Sequence, residues 1–315
     1  MSCACYAFIM NQASQTHEES LLRDKIEQAL KKKIMSLSLK GKGAVNNAYL
    51  VETTEGSKYI FKIERTDKEF QPQNTLSVEA DTILKLCDMG IETLLPKVVF
   101  MSADPSMYGY EYIEGDLLRS VWPSLIEAEK VGVCMELGHF HADIGKKFAE
   151  SDAAAAGLTI DYSTGFHPEV AADYEKILAN PDVPPGWKVL AQKAKGIFDE
   201  TNHDNVFQFL HNDSHHENIL IKDKKIAGII DFGNAEYGDV TKEFSRYIRD
   251  FPDHFQYIVE SYEENSGHSL SMPHLISNAF VNGLIDYVES YAKGGEGRMA
   301  AEKAVAKYEQ LLTSR

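Results

Sequence analysis

Apolar residues change their period along this chain, and the changes divide it in two. Leu21, Leu22, Ile26 and Leu30 recur at helical spacing and predict an amphipathic helix around His17–Lys33. The pattern then shortens: Ile34–Lys40, Ala48–Thr53 and Lys58–Glu64 read as strands joined by Gly41-Lys42-Gly43 and by Glu55-Gly56. Asn74–Asp88 returns to helical periodicity through Leu76, Ala80, Ile83, Leu84 and Cys87, stopping at Gly90. Lys97–Ser102 and Tyr108–Ile113 read as two further strands with Asp104-Pro105 at their turn. Beyond them helices dominate. Ser124–Ala149 carries a stripe that includes Val131, Met135, Leu137 and Phe140, and Asp152–Gly165, rich in Ala, Gly and turn residues, predicts a loop. Helices near Glu169–Leu178 and Trp187–Thr201 precede strands at Val206–Leu210, Ile219–Ile221 and Lys225–Ile230. Helical patterns resume from about Thr241, as in Leu275–Ala292 and Arg298–Leu312, with neither an internal repeat nor a low-complexity tract. The expectation is an α+β chain: a small antiparallel-sheet lobe with a leading helix at residues 1–113, and a larger, mostly helical lobe at 114–315.

Composition narrows the setting. With 315 residues, 43% hydrophobic and 25% charged, the chain is ordinary for a globular protein with room for two cores. No apolar run reaches the ~18 residues of a membrane span. The stretch Met1–Met10 is apolar but short and lacks a basic flank, and position 2 is Ser, so neither a secretory signal nor myristoylation is expected. The expected location is the cytoplasm. A formal net charge of −16 argues against nucleic-acid partners and suits a cationic small substrate. Cys3, Cys5, Cys87 and Cys134 form no framework and are expected to be reduced thiols.

Chemistry concentrates in Phe209–Leu220. Asp213 and Asn218 stand five residues apart in a turn bounded by apolar runs, and Asp231 closes the next strand, just before Phe232-Gly233. Order and spacing are similar to the protein-kinase signature of catalytic Asp, Asn, then Asp-Phe-Gly. In that reading Asp213 orients an acceptor hydroxyl, while Asn218 and Asp231 supply oxygens to Mg2+ beside the phosphates of ATP or GTP. His211, His215 and His216 invite a zinc-hydrolase reading, but they crowd into one short loop without a recognised zinc spacing. His211 reads as a brace, His215 as a residue facing the transferred phosphate. Lys62 sits mid-strand between apolar residues and needs an anionic partner, which Glu79 on the following helix can be. Such a Lys–Glu pair holds nucleotide phosphates in kinases. Gly41 and Gly43, ahead of Lys62, can bring backbone amides to phosphates.

These residues identify a family likeness. The chain resembles the aminoglycoside phosphotransferase family, small-molecule kinases with a two-lobed protein-kinase-like fold. His211-Asn212-Asp213-Ser214-His215-His216-Glu217-Asn218-Ile219-Leu220 is similar to that family's His-Gly-Asp-x-His-x-x-Asn-Ile-Leu loop, and Ile229–Ala235 with Gly238-Asp239 to its Ile-Asp-Phe/Trp-Gly…Gly-Asp segment. Val78-Glu79-Ala80 resembles the start of its pairing helix, Leu137–His141 its Leu-x-x-Leu-His helix, and Glu111–Gly115 its hinge. The resemblance implies that backbone groups around Glu111 and Ile113 hold the nucleotide base. It also implies that carboxylates of the helical lobe face substrate ammonium groups, with Asp161, Asp173, Asp250, Asp253, Glu260, Glu263 and Glu264 as candidates. Two positions depart from the pattern: Asn212 replaces the usual Gly, as in the 2″-O-phosphotransferase branch, and Glu243 stands where an Asp is common. The implied activity is transfer of a nucleotide γ-phosphoryl group to an aminoglycoside-like antibiotic. A macrolide kinase, a metabolic kinase acting on choline, homoserine, a hydroxylated amino acid or a sugar, and a nucleotide-binding pseudokinase are the alternatives.

Overall fold

The computed structural model describes residues 19–67, 73–91, 94–104, 106–163, 168–201 and 206–313, and of 168–173 the backbone alone. Cys3, Cys5, Pro105 and the side chain of Asp173 therefore lie outside the described residues. The chain divides into two compact units, one ending at Leu84 and resuming over Pro96–Ile113, the other formed by Lys85–Leu95 and Glu114–Arg315.

In the first unit a five-stranded antiparallel sheet has the order β1-β2-β3-β5-β4, from β1 (Ile34–Lys42), β2 (Asn46–Thr53), β3 (Lys58–Glu64), β4 (Val98–Met101) and β5 (Met107–Glu111). Helix α1 (19–30) lays Leu22, Ile26, Ala29 and Leu30 against a core of Ile34, Val51, Tyr59, Phe61 and Met107. Leu21, expected in that stripe, is instead half exposed, because one turn of helix cannot turn two adjacent residues to the same sheet. Helix α2 (Leu76–Asp88) follows β3 in the chain.

The second unit is helical around two three-stranded sheets. One has the order β10-β9-β6, from β6 (Asp116–Leu117), β9 (Ile219–Lys222) and β10 (Lys225–Ile229); the other has the order β7-β11-β8, from β7 (Thr159–Ile160), β8 (Phe207–Leu210) and β11 (Glu236–Asp239). Its helices are α3 (Leu118–Val121), α4 (Glu127–Lys147), α5 (Glu150–Ala156), α6 (Pro168–Ala179), α7 (Pro185–Thr201), α8 (Val240–Asp250), α9 (Phe255–Ser266), α10 (Met272–Lys293) and α11 (Gly295–Thr313). The central α4 packs on α9 so closely that a Cβ at Gly138 would stand 2.2 Å from the Ile258 carbonyl oxygen. Part of the expected loop Asp152–Gly165 is in fact α5 and β7. Its alanines are good helix formers, and Asp152 starts the helix by accepting the Ala149 N–H at 3.0 Å. The short β6, β7 and β11 were not anticipated; two to four residues carry too little periodicity. Cys134 is fully buried, and burial pushes its thiol up to about 12, which leaves it inert. No helix among the described residues is long and apolar enough to cross a membrane.

Candidate active site

Lys62 lies on β3, flanked by β2 and β5, so its ammonium leaves the sheet among buried side chains. Nζ donates to both Glu79 oxygens, at 2.7 and 2.8 Å, and Oε1 also accepts the Tyr108 hydroxyl at 2.9 Å. Glu79, in the first turn of α2, is 1% exposed, so each charge is held by the other rather than by water. Tyr108 was missed because an alternating strand offers no sign of which hydroxyl meets a carboxylate.

Of the two glycines ahead of Lys62, Gly41 lies within β1 and Gly43 just beyond its end. Gly41 is paired with Ala48 in the ladder, and the Gly43 N–H donates to Asn46 O at 2.9 Å, closing its own turn. Arg65 straps that turn from outside, donating Nη1 to Gly43 O at 2.7 Å and its backbone N–H to Val45 O at 2.9 Å. The same guanidinium forks onto Asp67 at 2.9 and 3.0 Å. The Asn46 and Asn47 side-chain oxygens are buried without a hydrogen-bond partner among the described residues, so the polar chemistry of this turn is unfinished. At the far end of β5, Glu111 gives its N–H to Lys97 O and Tyr112 gives its N–H to Lys58 O, each at 3.0 Å. The Ile113 N–H makes no backbone bond among the described residues.

In the second unit the loop between β8 and β9 holds its groups by reciprocal bonds. Asn212 takes φ +60°, a left-handed conformation that Asn tolerates better than most residues and that explains Asn in place of Gly. His211 Nδ1 accepts the Asp213 N–H at 3.1 Å, so its proton sits on Nε2 and is donated to Ile230 O at 3.1 Å. Asn218 Nδ2 donates to the Asp213 carbonyl at 2.9 Å and to Asp213 Oδ2 at 3.0 Å. The carboxylate is thereby oriented, with Oδ1 turned toward His215 Nε2 at 3.5 Å and Arg246 Nη1 at 3.7 Å. Burial pushes the Asp213 carboxyl above the usual carboxylate range and the Asp231 charge adds to it, against the pull of His215, Arg246 and Asn218.

Behind the loop, Glu243 on α8 is 1% exposed, yet it accepts the Asn212 N–H at 2.7 Å and the Ser214 hydroxyl. Tyr247, one turn on, joins Ser214 Oγ at 2.6 Å and His141 Nε2 at 2.5 Å. Burial favours a neutral Glu243, but His141, His211, Ser214 and the Asn212 N–H together hold its carboxyl below the usual range. Arg246, Tyr247 and Ser214 were not identified from sequence. The spacing of Glu243, Arg246 and Tyr247 at i, i+3 and i+4 is the signal that placed them on one helical face. His216 is packed rather than chemical: its ring stacks on Phe251 at 4.2 Å and meets Trp122 edge-on at 5.6 Å.

His211 makes the fold sensitive to acid. Burial lowers its imidazole to about 4, whereas an unfolded histidine takes a proton near 6.5. Its contribution is complete above that unfolded value and disappears as pH falls toward 4, a loss of roughly 3 kcal/mol. Urea unfolding between pH 7 and 4 is expected to show that slope. His211→Gln, which keeps one donor and one acceptor, should flatten it by roughly 1–3 kcal/mol, and an unaltered slope would refute the assignment.

Asp231, just after β10, adopts φ +68° at the head of a 3-10 turn, Phe232–Asn234, and its residue is exposed. Ile230 N–H donates to Asn218 O at 2.9 Å, tying the Asp231 segment to the loop between β8 and β9. Because Asn218 spends its amide nitrogen on Asp213, its side-chain oxygen is what it can offer a cation. One amide oxygen and one carboxylate suit Mg2+, which completes its shell with phosphates and water. No cluster of three His, Cys, Asp or Glu able to hold a metal exists among the described residues.

The acidic residues expected to greet ammonium groups are largely engaged already. Asp161 pairs with Lys242 at 2.5 Å, Asp253 with Lys307 at 2.7 Å and Asp250 with Arg249 at 3.6 Å. Glu263 accepts the Leu270 N–H at 2.6 Å, while Glu260 and Glu264 are exposed on α9.

The sequence matches the model of the phosphotransferase enzyme family over residues 37–268. No curated protein matches it. Among solved structures, the GDP complex of an aminoglycoside 2'-phosphotransferase-IIIa is similar with a TM-score of 0.66 at 15% identity, covering 95% of this chain and 98% of that one. A macrolide 2'-phosphotransferase from Brachybacterium faecium, an apoenzyme, gives 0.64 at 15% identity over 90% and 97%. Spectinomycin phosphotransferase with ADP and spectinomycin gives 0.62 at 14% identity over 94% and 98%.

Proposed function

Because the chain belongs to the phosphotransferase enzyme family, we propose that it moves the γ-phosphoryl group of ATP or GTP to a hydroxyl of a small molecule. The observation that carries this reading is the catalytic loop: Asn218 holds Asp213 by Oδ2 and by its carbonyl, leaving Oδ1 to accept a proton from the acceptor. Asp213 is the catalytic carboxylate; it orients the hydroxyl for in-line attack and takes its proton as the bond to phosphorus forms. Asn218 and Asp231 would hold Mg2+, which when bound neutralises charge on the nucleotide phosphates. In the first unit, Lys62, locked by Glu79, serves the phosphates as a fixed positive charge. The turn at Gly41–Asn47 fits a ligand that completes its polar groups, since turning either asparagine amide over presents N–H donors. Ile113 N–H is the hinge donor left for a base; Glu111 contributes no N–H of its own to that task.

The acceptor we favour is an aminoglycoside-type antibiotic, on the strength of family membership. The pairing of Asp161, Asp250 and Asp253 with basic partners supports a second reading, a macrolide or an amino-alcohol metabolite that needs fewer free carboxylates. We place the enzyme in the cytoplasm, which supplies both nucleotides. A phosphorylation screen of aminoglycosides, macrolides, choline and amino-alcohols with ATP and with GTP tests both readings. Product from an aminoglycoside supports the first and product from the other groups alone supports the second. No phosphorylated product with any acceptor would sink both.

A further inference from the structure

We propose that Arg246 is a catalytic residue: its guanidinium neutralises the oxygens of the phosphoryl group as it passes to the acceptor, and His215 Nε2–H donates a hydrogen bond to them. This rests on the phosphotransferase reading above.

Asp213 Oδ2 is used by Asn218, so Oδ1 is where an acceptor hydroxyl docks. His215 Nδ1 accepts the Glu217 N–H at 3.1 Å, which leaves the imidazole proton on Nε2, 3.5 Å from Oδ1. Arg246 Nη1 stands at 3.7 Å from the same atom. Neither distance is that of a hydrogen bond. Elsewhere the loop's donors reach their acceptors at 2.7 to 3.1 Å. Two donors thus converge on Oδ1 without closing on it. A guanidinium whose purpose was to clamp a carboxylate would fork onto it, as Arg65 does on Asp67 at 2.9 and 3.0 Å.

Placement makes the arrangement rigid. Arg246 lies on α8 between Glu243 and Tyr247, the two residues that anchor the backbone and side chain of the loop. Its base is therefore fixed relative to Asp213, while its side chain remains 43% exposed and can reach a ligand.

The reaction needs such a cation. The acceptor oxygen forms a bond to the γ-phosphorus, and its proton goes to Asp213 Oδ1. The bond from phosphorus to the β–γ bridging oxygen breaks, and the nucleoside diphosphate leaves with that electron pair. Charge is spread over the three non-bridging oxygens during transfer. Asp213 and Asp231 would repel it; Arg246 and His215, flanking the entry point of the hydroxyl, offset that repulsion.

The test uses the full chain with ADP or GDP, magnesium and aluminium fluoride, a planar mimic of the phosphoryl group in flight. Aluminium fluoride is expected to tighten diphosphate binding at least about tenfold in the wild type and not in Arg246→Gln, with binding of the diphosphate alone unaltered. Turnover of the variant should fall about 10²–10³-fold at unchanged nucleotide KM, and Arg246→Lys should recover part of it. Arg298→Gln, on α11 and paired there with Glu302, is the control and should keep its turnover. Tightening that survives in Arg246→Gln, or a variant that alters only the acceptor KM, overturns the proposal. A wild-type protein that binds neither diphosphate instead defeats the phosphotransferase reading, and this inference with it.

Discussion

Asp213→Asn is expected to lower turnover about 10²–10⁴-fold while nucleotide affinity stays within a small factor. The substitution keeps the volume of the side chain and its contact with Asn218, but replaces an oxygen that can take a proton with an amide that cannot. Asp213 is assigned to the acceptor, so binding of nucleotide alone should hardly sense the change. The carboxyl is held up by burial and by the Asp231 charge, which brings it closer to a hydroxyl's proton than a solvated aspartate would be. Steady-state rates with an acceptor from the screen, together with calorimetric titration of ADP, separate the two effects. A variant that keeps more than about a tenth of wild-type turnover would remove Asp213 from the chemistry.

Much of this arrangement was legible because chemistry concentrates where local structure is least repetitive. The spacing of Asp213 and Asn218 suggested a pair, which the structure joins by two hydrogen bonds, and the cost of an ammonium between Phe61 and Ile63 pointed to the partner that Lys62 has in Glu79. The strand pattern likewise located β3 with its observed limits, since seven residues of alternating and apolar character leave one solution. What could not be read was partnership. Nothing in the sequence says that Gly43 closes its own turn, that Arg65 straps it, or that Asp161 and Asp253 are already matched by Lys242 and Lys307. Those pairings depend on tertiary distance, and a carboxylate written in a row of letters looks equally available in every case. Alanine-rich α5 was missed for the opposite reason: Ala and Gly in Asp152–Gly165 suggested a loop, although alanine is the strongest helix former and the break comes only at Gly157, φ +76°.

Glu243 is where the second large effect is expected. Glu243→Ala should destabilise the chain by roughly 3–5 kcal/mol, the usual cost of removing one member of a buried charged network. The alanine would leave the Asn212 N–H, the Ser214 hydroxyl and His141 without the carboxylate that gathers them, in a place water does not reach. Asn212 needs that bond most, because it is held at φ +60° and its N–H has no turn of its own to close. The sign with pH follows from the lowered carboxyl. A carboxylate depressed on folding stabilises above its unfolded value, near 4.3, and that contribution disappears as pH falls through the folded one. The wild type should therefore lose stability below about pH 4.5 more steeply than Glu243→Ala, so the two urea-unfolding curves converge in acid. Glu243→Gln tests charge apart from geometry: it can still accept the Asn212 N–H, and should lie between the two. An alanine variant within about 1 kcal/mol of wild type at pH 7 would mean that the loop is held by its own turn bonds and that the longer side chain at this position has no bracing role.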